Sequence, residues 1–207
     1  MLSYTKNIKM KSENEYIGDD KFKKFLEHYN CPSPLELIKL RFAGAICSPN
    51  SELRPTDVIS SLWPDNHTPR LETKKEAELF FKFFMGLWDE IFQNVCQNQI
   101  KMPNISEEQD IRKTCLYHSE LLEHGFLEGF WGGKDNVSIP AYIAEIVDSL
   151  SRMASLYETL ATKVNQNTKN AVQNAVRDCD ATVNKSINFI IQHFVLPHMD
   201  ELKRTVN

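Results

Sequence analysis

Apolar residues recur along this chain at intervals of three and four, the spacing that aligns one face of an α-helix. DDKFKKFLEHYN, LELIKLRFAGAICS, PTDVISSLW and KKEAELFFKFFMGLWDEIFQNVCQNQ all carry it. Period-two alternation bounded by turn residues is missing, so the pattern predicts helices and no strand. Start signals agree. Ser33 as N-cap, Pro34 at the first helical position and Glu36 form a capping-box pattern. Thr73 with Glu76 repeats it, and so does Ser106 with Gln109, where Glu107 and Glu108 suit the positive end of a helix. Pro140 opens a further helix after the turn-like GGKDNVS.

Beyond residue 140 the pattern changes. Ile143, Val147, Leu150, Ala154, Tyr157, Ala161 and Val164 step alternately by four and three, which is a heptad stripe. The amide-rich NQNTKNAVQNA predicts a break near 165–168. A second stripe runs through Val172, Val176, Cys179, Val183, Ile187, Ile190 and Phe194. Its mean spacing exceeds 3.5, so this face runs nearly straight or drifts right-handed. Two such helices form either an antiparallel hairpin on the bundle or a seam for a second subunit, and the pattern leaves both open. The predicted architecture is all-α. It has a flexible arm over 1–17, a helical bundle core over 18–139 and long heptad-patterned helices over 140–207. Pro49 to Arg70, with four prolines, reads as a connection wrapped on the surface.

Composition narrows the class. With 207 residues, 42% of them hydrophobic and 12 of them Phe, the chain can bury a real core. A net charge of −4 argues against a dedicated nucleic-acid binder. The basic clusters Lys6, Lys9, Lys11 and Lys21, Lys23, Lys24 are interleaved with Glu13, Glu15, Asp19 and Asp20. Cys31, Cys47, Cys96, Cys115 and Cys179 are scattered and never spaced as CxxC, which predicts neither a disulfide framework nor a zinc site and fits a reducing, cytoplasmic setting. No run approaches the ~18 apolar residues of a membrane span.

Residues 124–133, HGFLEGFWGG, hold four glycines. A phosphate-binding P-loop fails on them. Aligning Gly133-Lys134 with the motif's GK puts Glu128 at its first glycine and Asp135 at its hydroxyl position, and acids repel phosphate. A helical reading succeeds. Gly125 and Gly129 share one face and, with Gly44, predict close helix packing, although each glycine costs up to ~1 kcal/mol of helix stability. Gly132 and Gly133 fit a left-handed C-cap, with Lys134 beside the negative helix end.

LLEHGFLEGF resembles the W-x-x-G-F-L-x-G helix of the YgfB/YecA-like family of bacterial all-helical proteins. FAGAIC, from Phe42 to Cys47, is similar to that family's first small-residue helix, and the helix with Trp88 stands where the family has its acidic-aromatic one. The likeness runs from about Ser33 to Lys163. Leu122 replaces the usual tryptophan, and the cysteine-rich zinc tail of some members is missing. The resemblance implies an all-helical fold and regulatory or interaction roles. It supplies no catalytic residue.

Candidate chemistry is sparse. Glu120, His124 and Glu128 lie at i, i+4 and i+8, with Glu123 nearby, and carboxylates with imidazole are a metal-ligand set. Their expected role is a solvated ion-pair face, with a metal-dependent enzyme as the alternative. Cys115 and His118 are close enough for a thiolate–imidazole pair but read as a buried, inert cysteine beside a histidine. Trp88-Asp89-Glu90 reads as core followed by a solvated turn. His193 and His198 fall on different faces around Pro197, and no nucleophile elbow is present. The expected function is therefore a non-enzymatic interaction or regulatory protein without a cofactor. It would pair with a protein partner or a second copy, as a homodimer, through Val172, Val176, Val183, Ile187, Ile190 and Phe194.

Overall fold

The computed structural model describes residues 15–64, 68–104, 110–134 and 137–197. In chain order the elements are α1 (Asp19–His28), α2 (Leu35–Ile46), α3 (Pro55–Ser60), α4 (Lys74–Cys96), α5 (Ile111–Glu120), a π-helical turn (Leu121–Leu127), α6 (Glu128–Trp131), α7 (Ala141–Thr162) and α8 (Lys169–Phe194). Among the described residues there is no strand, so the fold is an all-α bundle.

Local chemistry sets most boundaries. Thr73 caps α4 by accepting the Glu76 N–H at 3.1 Å, while the Glu76 carboxylate accepts the Glu72 N–H at 2.7 Å. The capping box expected at Ser33 is not formed. Pro34 is itself the N-cap, extended at ψ 155°. The Glu36 carboxylate turns away to Lys23 (2.9 Å) and the Tyr117 hydroxyl (3.3 Å), because those partners tie α2 to α1 and α5. Ser106 and Gln109 lie outside the described residues, as do Lys6, Lys9, Lys11 and His198. Asp110 caps α5 by accepting the Arg112 N–H at 3.0 Å. Pro140 is the N-cap of α7, one residue before its first turn.

Helix α2 runs through the middle. Leu35, Leu37, Ile38, Leu40, Phe42, Ala43 and Ala45 are all buried, while Glu36 and Lys39 keep one edge of the helix polar. An aromatic layer of Phe22, Phe25, Phe80, Phe84 and Trp63 joins α1, α4 and the segment after α3, with ring centroids 5.0 to 6.0 Å apart. The reading of residues 49–70 as surface wrapping is corrected here. Val58, Ile59, Leu62 and Trp63 are core residues, and Trp63 Nε1 donates to the Tyr29 carbonyl at 3.3 Å. Four prolines disguised a segment whose apolar residues still had to be buried. Of the expected arm over 1–17, residues 1–14 lie outside the described residues, while residue 15 packs on α4. A Cβ on Gly86 of α4 would stand 2.8 Å from the Glu15 carbonyl oxygen, so the chain at Glu15 already lies on α4.

Helices α7 and α8 form an antiparallel hairpin within one chain. Tyr157 meets Asp180 and Tyr142 meets His193, and the connection is the turn at 165–168, where Asn165 Oδ1 accepts the N–H groups of Asn167 and Thr168. Both stripes are buried there. Ile143, Val147, Leu150, Ala154, Tyr157 and Ala161 face Val172, Val176, Val183, Ile187 and Ile190 and the rest of the core, none more than 5% exposed. Phe194 is half-buried against Phe130. Val172, Val176, Val183, Ile187, Ile190 and Phe194, read as an interaction seam within or between chains, are covered here by this chain's own core, with Phe194 only half-buried.

Candidate functional site

The glycines at the centre of the molecule bring two backbones together. A Cβ at Gly44 would lie 2.1 Å from the Phe126 carbonyl oxygen, and one at Gly129 would lie 2.1 Å from the Arg41 carbonyl oxygen. Gly125 is less tight, at 3.1 Å from Leu40 Cβ. Helix α2 thus crosses the π turn and α6 at glycine-sized separation, and that crossing seats Arg41.

Arg41 is 6% exposed in a largely apolar helix, and desolvating a guanidinium is costly unless every donor is satisfied. Its five N–H groups are matched by five hydrogen bonds. Nε and Nη2 both donate to the His124 carbonyl (2.9 and 2.7 Å), Nη2 to Glu128 Oε2 (2.7 Å), and Nη1 to the Ser61 carbonyl and Oγ (3.0 and 3.3 Å). Burial lowers the guanidinium's pKa, and the Glu128 carboxylate opposes that shift.

The π turn has a cause in this arrangement. In an α-helix the Glu128 N–H would bond to the His124 carbonyl. Here it bonds to the carbonyls of Glu123 and Gly125, which leaves the His124 carbonyl to accept from Arg41. The extra residue in the turn supplies an acceptor that a regular helix would withhold. Such insertions recur at functional sites.

A cleft of about 480 Å³ opens beside this junction, between α3 and the turn after α6. Arg41 forms its floor, Leu53 and Val58 supply apolar wall, and Asp57, Ser60, Ser61, Glu128, Gly129, Gly132 and Gly133 supply the remainder. Gly132, at φ 57° and ψ 35°, ends α6 in the left-handed conformation, and its N–H bonds to the Glu128 carbonyl at 3.0 Å. Lys134, the residue after Gly133, pairs with Glu52.

The metal alternative is not assembled. His124 Nδ1 lies 3.5 Å from Glu128 Oε2, but Glu120 makes no hydrogen bond or ion pair to either, and the Glu128 oxygen is held by Arg41. Among the described residues no three His, Cys, Asp or Glu side chains are placed to share an ion. Cys115 and His118 are both buried, and the histidine turns elsewhere. Its Nδ1 lies 2.8 Å from Asp180 Oδ1, which also accepts the Tyr157 hydroxyl at 2.5 Å. Burial pushes the Cys115 thiol up to about 11, so it stays protonated at neutral pH. Neighbouring Ser119 donates to the Ala154 carbonyl at 2.9 Å. This polar set clamps α5 to α7 and α8 and presents no nucleophile.

Sequence reasoning missed Arg41 and Asp180. For Arg41 a signal existed, a single guanidinium inside LIKLRFAGAI, in a helix whose other charged residues are Glu36 and Lys39. For Asp180 there was none, because its partner His118 is 62 residues away. No described helix is long and apolar enough to cross a membrane. Compared with known proteins, the chain matches no family model, no curated protein and no solved structure.

Proposed function

We propose that this protein is a non-catalytic helical binding module, with its recognition face at the α3–α6 cleft rather than along the C-terminal helices. One observation carries the reading. The cleft is shaped by a saturated guanidinium, two carboxylates and the glycine-set turn at Gly132 and Gly133, so it can hold a group without offering a nucleophile or a free proton donor from Arg41. Glu128 faces solvent on one side and Arg41 on the other, with 45% of its side chain exposed. Kinship with the YgfB/YecA-like family belongs to the same proposal. The two motifs that suggest it, FAGAIC and LLEHGFLEGF, are the two that meet here, Gly44 against Phe126.

The test is a photo-crosslinking residue placed at Ser60, on the cleft, and in a second protein at Thr182, on the exposed side of α8. The expected result is a discrete partner crosslinked in native lysate from position 60 and not from 182. Crosslinking from 182 alone, or from neither, overturns the placement.

A further inference from the structure

We infer that the cleft receives a cationic side chain, a lysine ammonium or an arginine guanidinium, from a protein partner. The inference rests on the binding-module reading and names what is bound. Its basis is an inventory of donors and acceptors. Among the described residues the one basic side chain of the lining is Arg41, and all five of its N–H groups are engaged. The Ser60 hydroxyl donates to the Thr56 carbonyl (2.9 Å) and the Ser61 hydroxyl to the Val58 carbonyl (2.8 Å), so both hydroxyls can meet a ligand only as acceptors. Asp57 uses Oδ2 to accept the Arg54 N–H at 3.0 Å, and Glu128 uses Oε2 for Arg41 and His124. Among the described residues no hydrogen bond reaches Asp57 Oδ1 or Glu128 Oε1.

The side-chain lining therefore sets two carboxylates against one guanidinium, a net of one negative charge, and its open positions are acceptors. An anionic ligand would meet that net charge, and among the described residues of the lining a neutral acceptor would find no free side-chain donor. A group rich in N–H donors and carrying positive charge satisfies both conditions. Leu53 and Val58 give its methylene stem an apolar wall, the surface along which long basic side chains lie while their heads reach polar partners. A volume near 480 Å³ leaves room for one such side chain.

The experiment follows backbone amide signals of Ser60, Ser61, Gly132 and Gly133 by NMR in the full chain. The titrants are acetyl-Gly-Arg-Gly-amide, its lysine analogue, its neutral citrulline analogue, and agmatine. The arginine or lysine peptide is expected to give saturable shifts, and citrulline none. Asp57→Asn keeps an oxygen for the Arg54 N–H and should weaken the peptide at least tenfold. Glu128→Gln should do the same, though it also loosens Arg41, so Asp57→Asn is the deciding variant. No saturable shift, equal binding of citrulline, or an unchanged affinity in Asp57→Asn overturns the inference. Binding of agmatine without either peptide assigns the cleft to a free small cation and overturns the partner assignment. Crosslinking from position 60 that persists in Asp57→Asn would leave the binding-module reading standing while the cationic one falls.

Discussion

Gly129 has no room for a methyl group. The atom that a Cβ would meet at 2.1 Å is the Arg41 carbonyl oxygen, and backbone inside a helix cannot swing aside as a side-chain tip can. Gly129→Ala should therefore lower stability by about 1–3 kcal/mol through overpacking, despite alanine's better helix propensity. Urea denaturation measures it, and an unchanged or raised midpoint would contradict the crossing described above. Tyr157 is buried, and its hydroxyl donates to Asp180 Oδ1. Burial, then the hydrogen bond to Asp180, raises its hydroxyl pKa well above the ordinary 10.0. A group whose folded pKa is raised contributes stability that is fully present below its unfolded pKa and is lost as pH climbs beyond it. Wild-type stability should fall above about pH 10 as the unfolded tyrosine ionises. Tyr157→Phe should flatten that decline while costing about 1.5–3 kcal/mol at neutral pH for the lost bond to a carboxylate. Thermal melts between neutral and alkaline pH separate the two effects.

Among the elements, the π turn and α2 explain each other. An arginine buried in a helix needs acceptors, a regular helix has no carbonyls to spare, and the turn at Leu121–Leu127 releases one. Arg41→Lys should cost about 3–5 kcal/mol, since an ammonium lacks the planar fork that reaches His124, Glu128 and Ser61 together. Glu128, being partly exposed, tempers the electrostatic share of that cost, because solvent can take over its carboxylate. Hydrogen exchange should quicken through residues 121–128 in this variant, and protection equal to wild type would separate the turn from Arg41. Helix α3 shows the same dependence on context. Its six residues are too few to stand alone, and they persist because Asp57 caps the Arg54 N–H while Val58 and Ile59 are buried.

Taken whole, the molecule encloses its longest apolar stripe. Val183 is fully buried in the α7–α8 hairpin, so Val183→Asp should destabilise by several kcal/mol, the cost of an unpaired buried carboxylate. If the stripe belonged to a dimer seam, the shift in urea midpoint would depend on protein concentration; inside one chain it should be the same at concentrations tenfold apart.

The three- and four-residue spacing made the helical class legible, since any chain with that period must bury one face of each helix. The capping pair Thr73 and Glu76, Pro140 before α7, the amide-rich break at 165–168 and the left-handed Gly132 are also local, because each depends on residues within a few positions. Ser33 failed as a cap although its neighbours were right. Glu36 found Lys23 and Tyr117 instead, and neither can be inferred from adjacency. Whether two heptad stripes meet within a chain or between chains depends on the turn that joins them and on what else lies within reach, which no periodicity records. The candidate site is the extreme case. Arg41, Ser61 and Glu128 come from three separated segments, and the carbonyl that holds Arg41 exists as an acceptor only because the helix carrying it departs from its regular ladder. Sequence alone determined which segments coil and which faces are apolar, because those properties arise from neighbours along the chain. Tertiary structure alone decided which backbones cross at Gly44 and Gly129, which guanidinium is buried, and where a cleft is left open, because those depend on distances between residues the chain order keeps apart.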